Sequence, residues 1–182
     1  RFGADAVYIG GPFMQLRADT SGFSEDEIKS AVQYTHALHK KLYVTVNSFA
    51  KNEEIEPLGR YAKRLYEAGV DAVIVSDIGA LCAVRDAAPS LEMHISTQAN
   101  CQNYASALAY YKMGARRVVT AREMTLSEIA EMRKRLPDDM EIEAFVHGAM
   151  CMSYSGRCFL SHYLSGRSGN RGECTQPCRW SY

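Results

Sequence analysis

Short apolar runs rich in β-branched and aromatic residues alternate along this chain with stretches of helical period, the pattern of repeated βα units on a parallel sheet. Six runs stand out, over residues 5–9, 42–46, 72–75, 92–95, 117–120 and 142–146. Their compact, two-sided apolar character predicts strands buried on both faces. Helix starts are marked by Ser24 with Glu27 and by Thr125 with Glu128, both capping boxes, and by Glu53-Glu54 ahead of Leu58, Tyr61 and Leu65. Gly69 and Gly114 each close a periodic stretch just before a strand, where a left-handed C-cap is expected.

A weak repeat supports the same units. Gly3-Ala4-Asp5-Ala6-Val7, Gly69-Val70-Asp71-Ala72-Val73 and Gly114-Ala115-Arg116-Arg117-Val118 carry one helix-stop, strand-start phrase. Such units fit either an open doubly wound sheet or most of an eight-stranded barrel. A dinucleotide fold wants G-x-G-x-x-G after its first strand, whereas Gly10-Gly11 here leads to Pro12-Phe13-Met14 with no later glycine in register. The expected fold class is therefore α/β, an incomplete (β/α)8 TIM-like barrel over residues 1–148, followed by a cysteine-rich segment over residues 149–182. The abrupt opening at Arg1 and the stop at Tyr182 suggest a chain cut at both ends.

In a barrel, catalytic groups gather at the C-terminal ends of the strands. Those positions carry Asn47, Asp77, Ser96-Thr97-Gln98, Arg122-Glu123 and His147-Gly148. Turn chemistry is the ordinary explanation for any one of them. Together they suit a polar or anionic substrate, with Asn47, Asp77 and Gln98 binding, His147 or Glu123 moving a proton and Arg122 completing the catalytic set.

Composition narrows the class. The 182 residues are 47% hydrophobic and 23% charged, with 21 basic against 21 acidic side chains, so no global field invites nucleic acid. No run of eighteen apolar residues and no signal-like start occur, which predicts a cytoplasmic protein without a membrane span. Near the end, Arg157, Arg167, Arg171 and Arg179 face only Glu173 and are interleaved with Phe159, Tyr163, Trp180 and Tyr182. An RNA or other anionic partner fits that composition, Arg157 and Arg167 being the candidate contacts, as does a set of solvated loop arginines.

Six cysteines are present, and four fall late as Cys151-x6-Cys158-x15-Cys174-x3-Cys178. Thiols stay reduced in the cytosol, so ligation of a soft metal explains the clustering better than disulfides do. Zinc favours compact Cys-x2-Cys knuckles, and the longer irregular spacing favours an iron-sulfur cluster. Cys82 lies in an apolar helical stretch and is excluded as a ligand, while Cys101 is a reserve candidate.

The stretch from Glu143 through His147-Gly148-Ala149-Met150-Cys151 to Ser155-Gly156-Arg157-Cys158, continued by Gly166-Arg167-Ser168-Gly169-Asn170-Arg171-Gly172-Glu173-Cys174-Thr175-Gln176-Pro177-Cys178, resembles the collagenase-like peptidase U32 family. The resemblance extends to Gly3 through Gly11, Val44-Thr45-Val46-Asn47 and Ser96-Thr97-Gln98. It implies an oxygen-independent hydroxylase with a 4Fe-4S cluster on Cys151, Cys158, Cys174 and, as fourth ligand, Cys178 or a cysteine further downstream. It also implies tRNA uridine or rRNA cytidine as substrate with prephenate as a co-substrate. The alternatives it carries are a ubiquinone-ring hydroxylation subunit working with a protein partner, and a peptidase. For the peptidase, neither H-E-x-x-H nor G-x-S-x-G occurs, which leaves Cys151 beside His147 as a conceivable thiol and base pair.

Overall fold

A computed structural model describes residues 3–16, 22–148 and 150–181. Tyr182, Ala149 and Arg1 lie outside the described residues. Six strands follow one another as β1 (Ala6–Gly10), β2 (Lys41–Val46), β3 (Ala72–Val75), β4 (Glu92–Ile95), β5 (Arg117–Val119) and β6 (Glu141–Glu143). All neighbours pair in parallel, and spatial order equals chain order. A doubly wound sheet reverses its order at a switch point. No reversal occurs, so these are consecutive staves of a barrel.

The helices α1 (Glu25–Ala37), α2 (Asn52–Glu67), α3 (Ile78–Ala87), α4 (Tyr104–Lys112) and α5 (Leu126–Arg133) connect successive strands, and a short α6 (Leu160–Ser165) lies in the final segment. Both expected capping boxes form, with Ser24 and Thr125 accepting from the backbone N–H of Glu27 and Glu128. Gly69 and Gly114 adopt the left-handed φ expected of them. The main core lies between sheet and helices, where Leu42, Val44, Val46, Val73, Val75, Met93, Ile95 and Val118 meet Ile28, Leu58, Tyr61, Leu65, Leu81 and Val84.

Two expectations need correction. Strands were expected to be buried on both faces, but β1 and β6 each pair on one side only among the described strands, and Tyr8 is 62% exposed. The last strand was expected over residues 142–146 but stops at Glu143, where its register with three-residue β5 ends at Val119. Beyond that point no ladder holds the chain, and Val146 is 89% exposed.

Gly11, just past β1, shows why a glycine pair stands where no nucleotide fingerprint follows. A Cβ there would lie 2.0 Å from the Tyr61 hydroxyl, so a side chain on α2 takes the space. That hydroxyl is buried without a hydrogen-bond partner, and burial pushes its pKa up, so it stays neutral. Tyr61→Phe removes an unsatisfied polar atom while keeping the edge-on packing against Phe13. The substitution is expected to be neutral or stabilising by up to about 1 kcal/mol in urea unfolding. A loss larger than that would mean that the hydroxyl has a partner.

Candidate functional site

Side chains alternate across each strand, so the face opposite the helices carries Tyr43, Thr45, Ile74, Glu92, His94, Arg117, Glu141 and Glu143. This concave face is polar. Arg117 lies in register with His94 on one side and Glu141 on the other. Its guanidinium donates to Glu141 through Nε at 2.7 Å and through Nη2, and to Glu143 at 3.1 Å. It also stands 5.3 Å from the centre of the Tyr43 ring. His94 is buried beside Glu92 at 2.7 Å and edge-on to Tyr43, and loss of solvation lowers its pKa. The sequence reading missed this network, although its signal was there: charges two apart, Glu92 with His94 and Glu141 with Glu143, share one face of a strand.

One step further along the strands, the expected mouth residues meet. Asn47 donates to the Ser96 hydroxyl at 3.2 Å, Ser96 also accepts from the Gln98 N–H, and Ser76 donates to the Asn47 carbonyl at 2.7 Å. Asn47 Oδ1 is buried with no partner. Asp77 instead caps α3, accepting from the Ala80 N–H at 2.9 Å, the turn chemistry that competes with a substrate role.

The final segment returns to these strand ends through residues 153–158 and 170–171. At β5 the backbone N–H of Arg122 donates to the Ser155 hydroxyl at 2.9 Å, Arg122 Nη2 donates to the Ser153 carbonyl at 3.1 Å, and Glu123 accepts from the Ser155 N–H at 2.8 Å. Burial alone would raise the Glu123 carboxyl, but bonds from the Ser155 hydroxyl and the backbone, together with the Arg122 charge, outweigh it and hold the group below its usual range. Arg122 and Glu123 thus bond the segment directly, and Arg122 Nε is buried and unpartnered.

At β4 the close approach is backbone to backbone. Gly156 has φ +75, and a Cβ on it would lie 1.9 Å from the Gln98 carbonyl oxygen. Tyr154 meets Gln102 at 2.6 Å. At β2 the Arg157 guanidinium covers the Phe49 ring at 4.9 Å. Arg167 is half-buried with protein partners of its own. His147 is exposed on the irregular stretch after β6.

All six cysteines are free. Cys101 is buried and its thiol is pushed up to about 11 by burial, which makes the reserve ligand an inert one. Cys151, Cys174 and Cys178 are exposed and Cys158 is half-buried. The Ser153 N–H points at Cys151 Sγ and the Gln176 N–H at Cys174 Sγ, each at 3.4 Å. Unpaired thiols with backbone donors aimed at sulfur have the donor chemistry that a thiolate-bound cluster needs. Among the described residues, no three Cys, His, Asp or Glu side chains converge on a point that would hold a metal ion.

Among the described residues no helix is long and apolar enough to cross a membrane. The fold is similar to that of a solved U32 peptidase, 16% identical, over 78% of this chain and 60% of that one with a TM-score of 0.61. In sequence the chain is 45% identical over 181 residues to the tRNA hydroxylation protein P of Escherichia coli, covering 100% of this chain and 40% of that protein. It is 41% identical over 180 residues to a 23S rRNA 5-hydroxycytidine synthase of the same organism, covering 99% of this chain and 27% of the relative. Thus the chain spans well under half the length of either relative. The model of peptidase family U32 matches residues 1–182 throughout, and the chain belongs to that family.

Proposed function

We propose that the protein containing this chain is an iron-sulfur-dependent hydroxylase of RNA bases, acting on tRNA uridine or rRNA cytidine. The observation that carries this reading is four free thiols on one segment laid across the C-terminal ends of a parallel half-barrel. The names of the two relatives, one a tRNA hydroxylation protein and one an rRNA hydroxycytidine synthase, supply the substrate class.

Cys151, Cys158, Cys174 and Cys178 would hold the 4Fe-4S cluster, which supplies one-electron transfer when bound. Asn47, Ser96 and Gln98 line the strand ends beneath the segment and offer amide and hydroxyl groups to a polar ligand such as prephenate. Exposed His147 offers an imidazole for proton exchange with a bound nucleotide. Exposed Tyr154, Phe159, Tyr163 and Trp180, with exposed Arg157 and half-buried Arg167 among them, form a stacking surface for an unpaired base. RNA modification of this kind belongs in the cytoplasm.

Full-length protein purified without oxygen is expected to contain iron and sulfide and to absorb broadly near 400 nm, as thiolate-bound clusters do. Changing Cys151, Cys158, Cys174 or Cys178 singly to alanine should remove that band, and mass spectrometry of RNA from a deletion strain should show one hydroxylated pyrimidine missing. A folded, iron-free protein with unchanged RNA would sink the reading. Robust proteolysis by that iron-free protein, lost on Cys151→Ser, would put a thiol peptidase in its place.

A further inference from the structure

Three consecutive residues of the segment reach three different places. Gly169 lies against Cys174, close enough that an added Cβ would stand 3.4 Å from the cysteine Cβ. Asn170 accepts the Cys158 N–H through its side chain at 3.2 Å and the Phe49 N–H through its carbonyl at 3.3 Å. Arg171 donates to Glu54 through Nη1 at 2.9 Å and Nη2 at 2.6 Å, and its Nη1 also meets the Phe49 carbonyl. One tripeptide thus touches two of the four late cysteines and ties both to the loop between β2 and α2.

Glu54 is committed at both ends. It stands in the first turn of α2, where its Oε2 accepts the Lys51 N–H at 2.7 Å. The carboxylate that closes the helix start is therefore the one that receives the Arg171 fork. Side-chain exposures of 28% for Arg171 and 18% for Glu54 set this pair apart from the exposed surface ion pairs of the helices. A planar two-donor fork fixes angle as well as distance, which a lysine ammonium does not. Phe49 receives the segment three ways, through its N–H, its carbonyl and its ring, which Arg157 covers.

We propose that Arg171 and Glu54 are positioning residues, a latch that holds the Cys158 and Cys174 parts of the segment on the α2 side of the strand ends and so sets the surroundings of a cofactor bound by those thiols. Its cofactor half rests on the iron-sulfur reading above; the latch itself does not. Neither residue touches the reacting atoms.

The test uses full-length protein in three variants, Arg171→Lys, Glu54→Gln and the exchange of the two charges, Glu54→Arg with Arg171→Glu. Glu54→Gln keeps an acceptor for the Lys51 N–H, so α2 retains its cap. Backbone hydrogen exchange is measured first on metal-free protein. Exchange at Phe49, Cys158 and residues 169–175 is expected to speed up at least about 10-fold in both single variants, with α3 unchanged, as local opening requires, and the exchanged pair should recover part of the protection. Unchanged exchange in both single variants overturns the latch.

The second readout is the EPR spectrum and midpoint potential of iron-loaded protein, which loss of a merely structural contact far from the cofactor would leave alone. A shift in both single variants at full iron content supports positioning. Faster exchange with an identical spectrum and potential overturns it. If wild-type protein takes up no iron and sulfide, the cluster reading fails, and with it the cofactor half of the proposal, while the exchange data still decide the latch.

Discussion

Gly156→Ala is expected to unseat the cysteine-rich segment and to lower the RNA hydroxylation proposed for the full-length protein by about 100-fold or more, the scale of a misplacement near 1 Å. Two penalties combine at this position. The backbone has φ +75, where a non-glycine residue costs about 1–2 kcal/mol. The new methyl carbon would also lie 1.9 Å from the Gln98 carbonyl oxygen and 2.6 Å from its carbon, and these backbone atoms cannot swing away as a side chain would. The segment must lift from β4, taking with it Ser155 and its bonds to Arg122 and Glu123. Gly166→Ala separates the two penalties. Gly166 has φ +70 with nothing within 4 Å of an added Cβ, so it carries the backbone cost alone. The measurement is the yield of hydroxylated pyrimidine in RNA from a deletion strain carrying each variant. Equal losses from the two variants would show that the approach to Gln98 is not the cause.

The second large effect is in the concave face. Arg117→Ala removes the cation that bonds both Glu141 and Glu143 and strips the cover from the Tyr43 ring. The guanidinium is only 17% exposed, yet its acidic partners are 58% and 45% exposed and keep much of their hydration. A fully buried broken pair costs about 3–5 kcal/mol, and this solvent access reduces the expected loss to about 2–3 kcal/mol in urea unfolding. Arg117→Lys keeps the charge without the fork and should lose less.

The loss depends on pH. The bond from Arg117 holds the Glu141 carboxyl below its ordinary value of 4.5 in the fold, ahead of the opposing effect of burial. A depressed folded pKa means stability that is present above the unfolded value and is lost as pH falls through the folded one. The difference between wild type and Arg117→Ala should therefore be largest near neutrality and shrink below about pH 4, as the Glu141 carboxylate protonates in both proteins. A difference that is flat across that range would place the effect in lost packing on Tyr43.

The sequence by itself determined the elements and their kind. Apolar runs marked β3 and β4 at their observed limits, Ala72–Val75 and Glu92–Ile95, because a strand flanked on both sides needs a compact run of residues that pack well. Ser24, Thr125, Gly69 and Gly114 marked helix ends through local chemistry, a hydroxyl accepting N–H groups or a backbone free to turn left-handed, and none of that needs a distant residue. The absence of a dinucleotide fingerprint separated barrel from doubly wound sheet, and the strand order agrees with the barrel. Four cysteines in one stretch were visible for the same reason, since their spacing is a property of the chain.

The tertiary structure alone decided which polar groups are engaged with one another. Arg122 and Glu123, polar residues at a strand end, hold Ser153 and Ser155, residues about thirty positions later. Glu54 looked only like the acidic start of a helix, and its partner Arg171 is 117 residues away. The end of β6 at Glu143, two-sided burial that fails at the outer strands, and the polar face built on Arg117 all depend on which strand lies alongside. Capping and periodicity act within one or two turns of chain and leave a mark in every window of sequence. A hydrogen bond between groups a hundred residues apart leaves no such mark, because either partner would look the same with a different one.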